Sequence, residues 1–285
     1  MENIDKRNLE EKIFKIIMIV SILIVIISLI IIIGIVIVNG ASSLNLEMFT
    51  QTAEGGLYLG KSGGILNAII GSIILALPAT LFAFLIGIGI ALYLQRDFTH
   101  PHISSFIRLS LDILWGIPSI LYGIFCVIIM MYLGIGESVL FGIIALTLLE
   151  LPLITRGMDE AMKVVPVGLK EGAYSLGSTK FETAVKVVRR QAMPGILAGV
   201  LLGLGRGIGD TASILFTSGF TDDIPTSIFD STAALPSSIY FLYNSPIESV
   251  RQKAYAAAFI LLIIVLLISI VSRALSKKSV KYVIK

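Results

Sequence analysis

The sequence predicts an all-α integral membrane protein with six transmembrane helices. Of the 285 residues, 56% are hydrophobic and only 14% are charged, whereas an average soluble domain carries about 25% charged residues. The mean hydropathy of +0.94 points the same way. The apolar runs are too long for the strands of a membrane barrel, so we expect helices to cross the bilayer.

The first predicted span, residues 13–38, is almost wholly aliphatic and follows a charged tail at residues 1–12. Its length favours a spanning helix over the short apolar core of a cleavable signal. We expect Pro78 to kink or break the second span. The other spans are predicted at residues 65–94, 109–133, 138–154, 195–216 and 254–271, and a basic tail at 273–285.

The distribution of basic residues predicts the orientation. Most of the 22 lysines and arginines fall in the two tails, in the loop 95–108 and in the loop 156–194. Because cytoplasmic loops are enriched in lysine and arginine, both termini and residues 156–194 are predicted to be cytoplasmic. The net charge of +3 therefore indicates topology and not nucleic-acid binding. Residues 235–243, in the opposite loop 219–254, form an amphipathic patch that favours the membrane interface or a partner.

A polar segment after the fourth span carries strong local signals for two short helices. Pro166 can open a helix, and Gly177 suits the left-handed position that closes one. Thr179 and Glu182 then have the spacing of a capping box, which starts a second helix at once. These signals predict a compact projection outside the membrane.

The fifth span combines glycine rows with two ionisable residues. Glycines spaced four apart, with Gly205 and Gly209 as a second row, allow another helix to approach closely; the first row is Gly199, Gly203 and Gly207. Arg206 and Asp210 lie one helical turn apart, which predicts an ion pair on one face. Charges at this depth are costly and often functional, although a pair that only joins helices is the alternative.

Several blocks of sequence resemble the permeases of ATP-driven (ABC) phosphate importers. The loop Glu171–Gly177 is similar to the E-A-A-x-x-x-G loop of ABC importer permeases, with Gly172 where alanine is usual. The block 206–212 is similar to the phosphate-import family, with Asp210 where a glutamate is usual. Residues 63–71, 116–123 and 235–240 also fit that family, and the resemblance covers about residues 60–270.

The resemblance implies a type I importer permease domain at residues 60–272 with a coupling-helix loop at 156–194. The residues implied to contact the ATPase are Lys170, Glu171, Gly172, Ala173, Tyr174, Leu176 and Gly177. Those implied for the substrate pathway are Arg206, Asp210 and Thr211, with Gly199, Gly203 and Gly207 for helix packing. No catalytic residue is expected. The chain is expected to bind no metal or cofactor of its own, with ATP and Mg on the ATPase.

The implied partners are a homologous second permease, an ATPase dimer, an extracytoplasmic phosphate-binding protein and the lipid bilayer, without nucleic acid. The implied location is the plasma membrane of a prokaryote, crossed several times. A permease for sulfate, molybdate or tungstate is an alternative, because phosphate rests on the resemblance alone. A secondary transporter or channel working alone also fits the hydropathy, but it leaves the capped projection unexplained.

Two further motifs point to other functions. Residues 207–210 match the G-x-G-D pattern of intramembrane aspartyl proteases, which need a second carboxylate close by; Asp112 is the one candidate and lacks the expected context. Residues 55–62 match a phosphate-binding loop, but no strand run precedes them and topology places them on the side without ATP. His100 and His102 have no third ligand nearby, so a metal site is not expected.

Overall fold

A computed structural model describes residues 2–54 and 62–280, and that part of the chain is almost entirely helical. The described residues that are not helical include an antiparallel pair of two-residue strands, β1 (Ala53–Glu54) and β2 (Ser62–Gly63), and the turns and loops of residues 210–234. The helices up to the projection are α1 (Glu2–Ser42), α2 (Glu47–Thr50), α3 (Leu66–Tyr93), α4 (Pro101–Gly116), α5 (Ser119–Leu133) and α6 (Val139–Lys163). They are followed by α7 (Val167–Ser175), α8 (Lys180–Glu182), a π-helical turn (Thr183–Val188), α9 (Arg189–Gln191), α10 (Met193–Gly209), α11 (Leu235–Tyr243) and α12 (Glu248–Val280).

The prediction of an all-helical membrane protein is confirmed, but not every span is straight. Four helices are long and apolar enough to cross a membrane: Glu10–Ser42, Leu66–Tyr93, Val139–Lys163 and Glu248–Lys277. Two bent helix pairs raise the number to six when each pair counts as one span. The pair α4 and α5 bends by 93°, and the pair Lys180–Gln191 and α10 bends by 72°.

The bend between α4 and α5 falls at Ile117 and Pro118. A residue before proline is pushed out of the helical region, and Ile117 accordingly has φ −70° and ψ 131°. The Tyr122 hydroxyl donates to the Leu114 carbonyl across the bend, at 2.7 Å. The predicted polar loop 95–108 is wrong in its second half, because α4 already begins at Pro101.

The predicted fifth span, residues 195–216, is also wrong at its end. Helix α10 stops at Gly209, and Asp210 has an extended conformation with φ −81° and ψ 124°. Residues 211–220 form turns instead of continuing the helix. Gly123 of α5 packs against these turns, since a Cβ on it would lie 2.7 Å from the Ser213 carbonyl oxygen. A broken backbone at membrane depth is tolerated where protein covers it.

Helices α3, α6 and α10 pack together at the centre of the molecule. Ile154 and Met158 of α6 are fully buried in a cluster with Ala83 of α3 and Ile196 of α10. Pro78 lies inside α3 without ending the helix. The three helices thus form the frame on which the rest of the chain is arranged.

The outermost helix, α1, packs against α12 near its end. Gly40 allows this approach, because a Cβ there would lie 2.5 Å from the Phe259 Cβ and 2.7 Å from the Tyr255 carbonyl oxygen. Most of α1 is exposed along its length in the isolated chain. An apolar helix without protein neighbours is expected to face lipid.

The amphipathic patch at residues 235–243 is helix α11, which buries one side within its own chain and leaves Tyr240 and Tyr243 exposed. Leu235 and Leu242 are buried, and α11 packs within its own chain against α12 and α3. The Leu235 N–H donates to the Ser72 hydroxyl at 2.8 Å. The preceding loop is held by backbone bonds from Ser138 to Thr217 (2.8 Å) and from Thr232 to Ser218 (2.7 Å).

Candidate functional site

Helix α7 forms a projection at the end of the bundle, and its boundaries follow the local sequence signals. Pro166 is the N-cap, and Gly177 has φ +83°, the left-handed conformation that glycine accepts without strain. The Ser178 N–H donates a hydrogen bond to the Ala173 carbonyl at 3.1 Å, and the Gly177 N–H donates to the Tyr174 carbonyl at 2.9 Å. These two bonds satisfy carbonyls at the helix end.

The next helix begins with a complete capping box. The Thr179 hydroxyl accepts from the Glu182 N–H at 3.2 Å, and the Glu182 carboxylate accepts from the Thr179 N–H at 3.1 Å. The backbone N–H of Thr179, together with Lys186, holds the pKa of Glu182 below its ordinary value. The angle between α7 and α8 is therefore set by hydrogen bonds within a few residues of Gly177.

The implied ATPase contacts occupy two sides of this projection. Glu171, Gly172, Leu176 and Gly177 are exposed, and Leu176 shows 89% of its surface. Ala173 lies between the two sides at intermediate exposure.

The other side of the projection is tied to the loop between α3 and α4. Lys170 donates to the Asp97 carboxylate at 3.1 Å. The Tyr174 hydroxyl lies beside the same carboxylate; burial, and to a smaller extent the charge of Asp97, raise the pKa of Tyr174. Asp97 is thus a fixed contact between α7 and the loop beside α4.

A buried ion cluster lies near this loop, centred on Asp159 of α6. Asp159 is 0% exposed and receives two hydrogen bonds from Arg108 of α4, at 2.7 and 3.0 Å. Arg156 and Lys163 lie 3.2 and 3.1 Å from the same carboxylate. Arg108 also donates to the Leu94 carbonyl at 2.9 Å, so the cluster joins α4, α6 and the end of α3.

Arg108 and Asp112 lie one turn apart on α4 but do not pair with each other. Asp112 instead accepts from Arg156 of α6 at 2.7 Å, across a gap between helices. An acid one turn away from a basic residue in the same helix need not pair with it when another helix offers an opposite charge. Together the pairs to Arg108 and Arg156 fix α4 against α6.

The first glycine row of α10 lies in its contact with α6. A Cβ on Gly199 would lie 3.5 Å from the Gly157 Cα, and a Cβ on Gly203 would overlap the Ile154 side chain. A Cβ on Gly207 would overlap the Glu150 carboxyl group. The second row behaves differently, because Gly205 and Gly209 have nothing within 4 Å of a Cβ.

Arg206 and Asp210 do not form the predicted ion pair. The helix ends between them, and Asp210 instead accepts from the Ser213 N–H at 2.9 Å and from the Ser213 hydroxyl at 2.6 Å. Arg206 is exposed in the isolated chain and makes no hydrogen bond or ion pair with any described residue. Thr211 is half-buried in the turn that Asp210 caps.

Sequence reasoning missed one buried acid, Glu150 of α6. It is 0% exposed, and its Oε2 accepts from the Thr80 hydroxyl of α3 at 2.7 Å. Its Oε1 has no hydrogen-bond partner among the described residues and lies against Gly207. The signal was present, because Glu150 is the one charged residue in the apolar run 138–154.

The other predicted motifs have simpler outcomes. His100 caps α4, with its Nδ1 accepting from the His102 N–H at 3.4 Å. Within residues 2–54 and 62–280 no group of three or more histidine, cysteine, aspartate or glutamate side chains is placed to hold a metal ion. The apparent phosphate-binding loop at residues 55–62 lies almost wholly outside the described residues.

Comparison with known proteins gives consistent matches over most of the chain. The family described as "Binding-protein-dependent transport system inner membrane component" matches residues 83–281. The chain is 33% identical over 237 residues to "Phosphate transport system permease protein PstA" of Xylella fastidiosa, covering 83% of this chain and 82% of the relative. It is 37% identical over 227 residues to "Probable phosphate transport system permease protein PstA" of Methanocaldococcus jannaschii, covering 78% and 79%.

Solved structures resemble the fold at lower sequence identity. A chain of the MetNI methionine ABC transporter, in an inward-facing conformation, is similar with a TM-score of 0.60 at 19% identity, covering 74% of this chain and 94% of that one. A chain of a bacterial ABC transporter involved in the import of alginate has a TM-score of 0.63 at 15% identity, covering 90% and 94%. At these identities the likeness concerns the fold alone.

Proposed function

The chain belongs to the family of binding-protein-dependent transport system inner membrane components, and on that premise we propose that it is the permease subunit of an ATP-driven phosphate importer. The assignment of phosphate as the substrate rests on sequence identities of 33% and 37% to phosphate permeases, over about four-fifths of their lengths. In this role the chain forms half of the translocation pathway. It is not itself an enzyme, since its relatives are transporter permeases.

The projection around α7 is proposed to dock on the ATPase. Its exposed side, with Glu171, Leu176 and Gly177, is free to enter a groove on another protein. Its other side contacts Asp97 through Lys170. A displacement of α7 would therefore move the loop beside α4, and the cluster at Asp159 would pass that movement to α6 as rigid-body motion.

The substrate pathway is proposed to run along the exposed side of α10 that carries Arg206. A phosphate crossing a low-dielectric region needs a positive partner, and the planar guanidinium matches phosphate oxygens in bidentate fashion. Arg206 has no counter-ion among the described residues, so its charge is available to an anion. Asp210 and Thr211 belong to the same pathway, where Asp210 holds the turn through Ser213.

The assembly is proposed to contain four kinds of protein. A binding-protein-dependent importer requires an ATPase and a substrate-binding protein. We assign these roles to a PstB-like ATPase dimer, which carries ATP and Mg, and to an extracytoplasmic PstS-like phosphate-binding protein. A PstC-like second permease completes the pathway beside Gly205 and Gly209, where a Cβ would meet no described residue within 4 Å. The chain binds no cofactor of its own.

The location is the plasma membrane of a prokaryote, which the chain crosses several times. We propose that α7 and both termini face the cytoplasm, because most lysines and arginines lie on that side. An intramembrane protease is not favoured, since the Asp210 carboxylate is occupied by Ser213 and the relatives are permeases. Sulfate, molybdate and tungstate remain the substrates to test against phosphate.

The test is ATP-dependent uptake of radiolabelled phosphate by proteoliposomes that contain the complete importer, with unlabelled phosphate, sulfate, molybdate and tungstate as competitors. We expect phosphate alone to compete. Arg206→Gln should abolish uptake while the complex still assembles, whereas Lys12→Gln, on the exposed N-terminal part of α1, should not. Competition by sulfate as strong as by phosphate would assign the importer to another oxyanion.

The double variant Arg206→Gln with Asp210→Asn distinguishes a role of these residues in the substrate pathway from a role in holding helices together. If the two charges only held helices together, the double variant would restore both yield and uptake. Because Asp210 caps the turn instead of pairing with Arg206, we expect the double variant to transport no better than Arg206→Gln. A double variant with normal yield and normal uptake would contradict the pathway role of Arg206.

A further inference from the structure

Two ionisable side chains on the packed helices α6 and α10 lack full compensation by the described residues. Arg206 makes no ion pair with any described residue. Glu150 is fully buried, and one of its two carboxyl oxygens has no hydrogen-bond partner among those residues. Buried polar atoms without partners are costly, and those that persist in a native structure call for an explanation.

The packing of α10 on α6 places these groups within reach of one another. The Oε1 atom of Glu150 touches the backbone of α10 at Gly207, where a Cβ would overlap it. Consecutive Cα atoms are about 3.8 Å apart, so this oxygen lies within the length of an arginine side chain from the Arg206 Cα. Because residues 203 and 207 are glycines, α10 places no side chain between itself and α6 at these two positions.

The chemistry of the two possible ligands of Arg206 is the same. A carboxylate and a phosphate both present paired oxygens to the guanidinium fork, so they compete for it. Asp210 is engaged by Ser213 and is not free for this role. Glu150, in contrast, is held at one oxygen only, by the Thr80 hydroxyl of α3.

We propose that Glu150 is the internal competitor of the transported anion for Arg206. It rests on Thr80 while Arg206 holds phosphate, and it pairs with Arg206 when the helices shift and phosphate leaves. This assignment builds on the proposed pathway role of Arg206. This competition would promote the release of phosphate, because an arginine in a low-dielectric site would otherwise bind phosphate too tightly for transport.

The experiment uses two variants with opposite expected effects. Glu150→Gln keeps the shape and an acceptor for Thr80 but removes the competing charge, so Arg206 should hold phosphate more tightly. Thr80→Val removes the hydroxyl that holds Glu150 away from Arg206, so phosphate should be held less tightly. We expect changes of about fivefold or more in the two directions, the lower end of typical coupling between sites.

The measurement is equilibrium binding of radiolabelled phosphate to the membrane-embedded complex of both permeases and the ATPase dimer in nanodiscs, without the binding protein, followed by uptake with it. Glu150→Gln should also slow uptake at saturating phosphate, because release becomes limiting. If Glu150→Gln does not accumulate, Glu150→Asp takes its place with the same expected direction of change, because its carboxylate is one methylene further from Arg206.

A purely structural role for Glu150 predicts a different pattern. Both variants would then weaken the packing of α3, α6 and α10, and both would change binding in the same direction. That result, or binding unchanged in both variants, would overturn the proposal. Normal uptake by Arg206→Gln would instead overturn the pathway role itself, so the two failures are distinguishable.

Discussion

The projection around α7 and the contact between α6 and α10 are held together in opposite ways. The projection depends on interactions between residues a few positions apart, such as the capping box of Thr179 and Glu182. The helix contact depends on residues far apart in the chain, such as Thr80, Glu150 and Gly207. The first region is exposed and the second is buried. The surface proposed to bind the ATPase is therefore separate from the buried helix frame.

The difference predicts which region fails in which way. Changes in the buried frame should reduce the amount of folded complex, because cavities, overlaps and unpaired charges are costly there. Changes in the projection should leave folding nearly intact and alter coupling to the ATPase, since each local interaction contributes only about 1 kcal/mol. Four substitutions, taken from the largest expected effect to the smallest, examine this contrast.

The largest effect is expected for Asp159→Asn. It removes the charge that holds Arg108, Arg156 and Lys163, and breaking a buried ion pair costs about 3 kcal/mol or more. The thermal unfolding midpoint and the membrane yield of the complex should both fall. The control is Glu160→Gln, a half-exposed neighbour whose ion pairs contribute less than about 1 kcal/mol. Equal stability of the two variants would show that the cluster is not part of the frame.

Gly207→Ala should come next. The added methyl group would overlap the Glu150 carboxyl, and overpacking of a buried contact costs about 1–3 kcal/mol. The yield of assembled importer in detergent should therefore fall. Gly34→Ala in α1, where a Cβ meets nothing within 4 Å, is the matched control and should assemble normally. Normal assembly of Gly207→Ala would mean that α6 and α10 can separate without loss.

Gly177→Val tests the projection. A β-branched residue at φ +83° costs about 1–2 kcal/mol, which is absorbed locally by turning α8 away from its position. We expect a normal yield, with ATP hydrolysis that no longer drives phosphate uptake. Gly168→Ala in α7, which lacks both strain and neighbours, should remain coupled. Uptake at the normal rate by Gly177→Val would remove α7 as the coupling element.

The smallest effect is expected for Thr179→Ala. It removes one side of the capping box and costs about 1 kcal/mol of local helix stability. Hydrogen exchange of the amides at residues 180–188 should become faster, with little change in yield. Ser175→Ala, whose hydroxyl only returns to its own helix at Glu171, serves as the control. If amide exchange in Thr179→Ala is as slow as in the unchanged protein, or slower, tertiary contacts and not the cap hold α8.

The same contrast explains what sequence reasoning could and could not find. The bounds of α7 and the capping box were predicted because Pro166, Gly177 and Thr179 act on backbone groups next to them. The break after Gly209 was not predicted, because an apolar sequence can continue as a helix or fold into turns depending on what covers it. Spacing alone would likewise pair Arg108 with Asp112 inside α4, whereas the structure pairs both with α6.

Glu150 shows a different limit of prediction from the sequence. Its position in an apolar span marks it as unusual, but nothing in the sequence indicates that Thr80 and Gly207 lie beside it. The glycine row indicated a close helix approach without identifying which helix approaches. Distances between residues far apart in the chain had to come from the structure, and the further inference depends on them.

The end of α10 at Gly209 also has an electrostatic consequence. The last turn of a helix carries carbonyl groups without intrahelical partners and a partial negative charge of about half an electron. Arg206 lies in this turn. The helix end therefore stabilises the arginine by about 0.3–1 kcal/mol and repels an anion that binds beside it. If phosphate passes Arg206 as proposed, the end of the helix weakens the attraction between the guanidinium and the anion and so favours release.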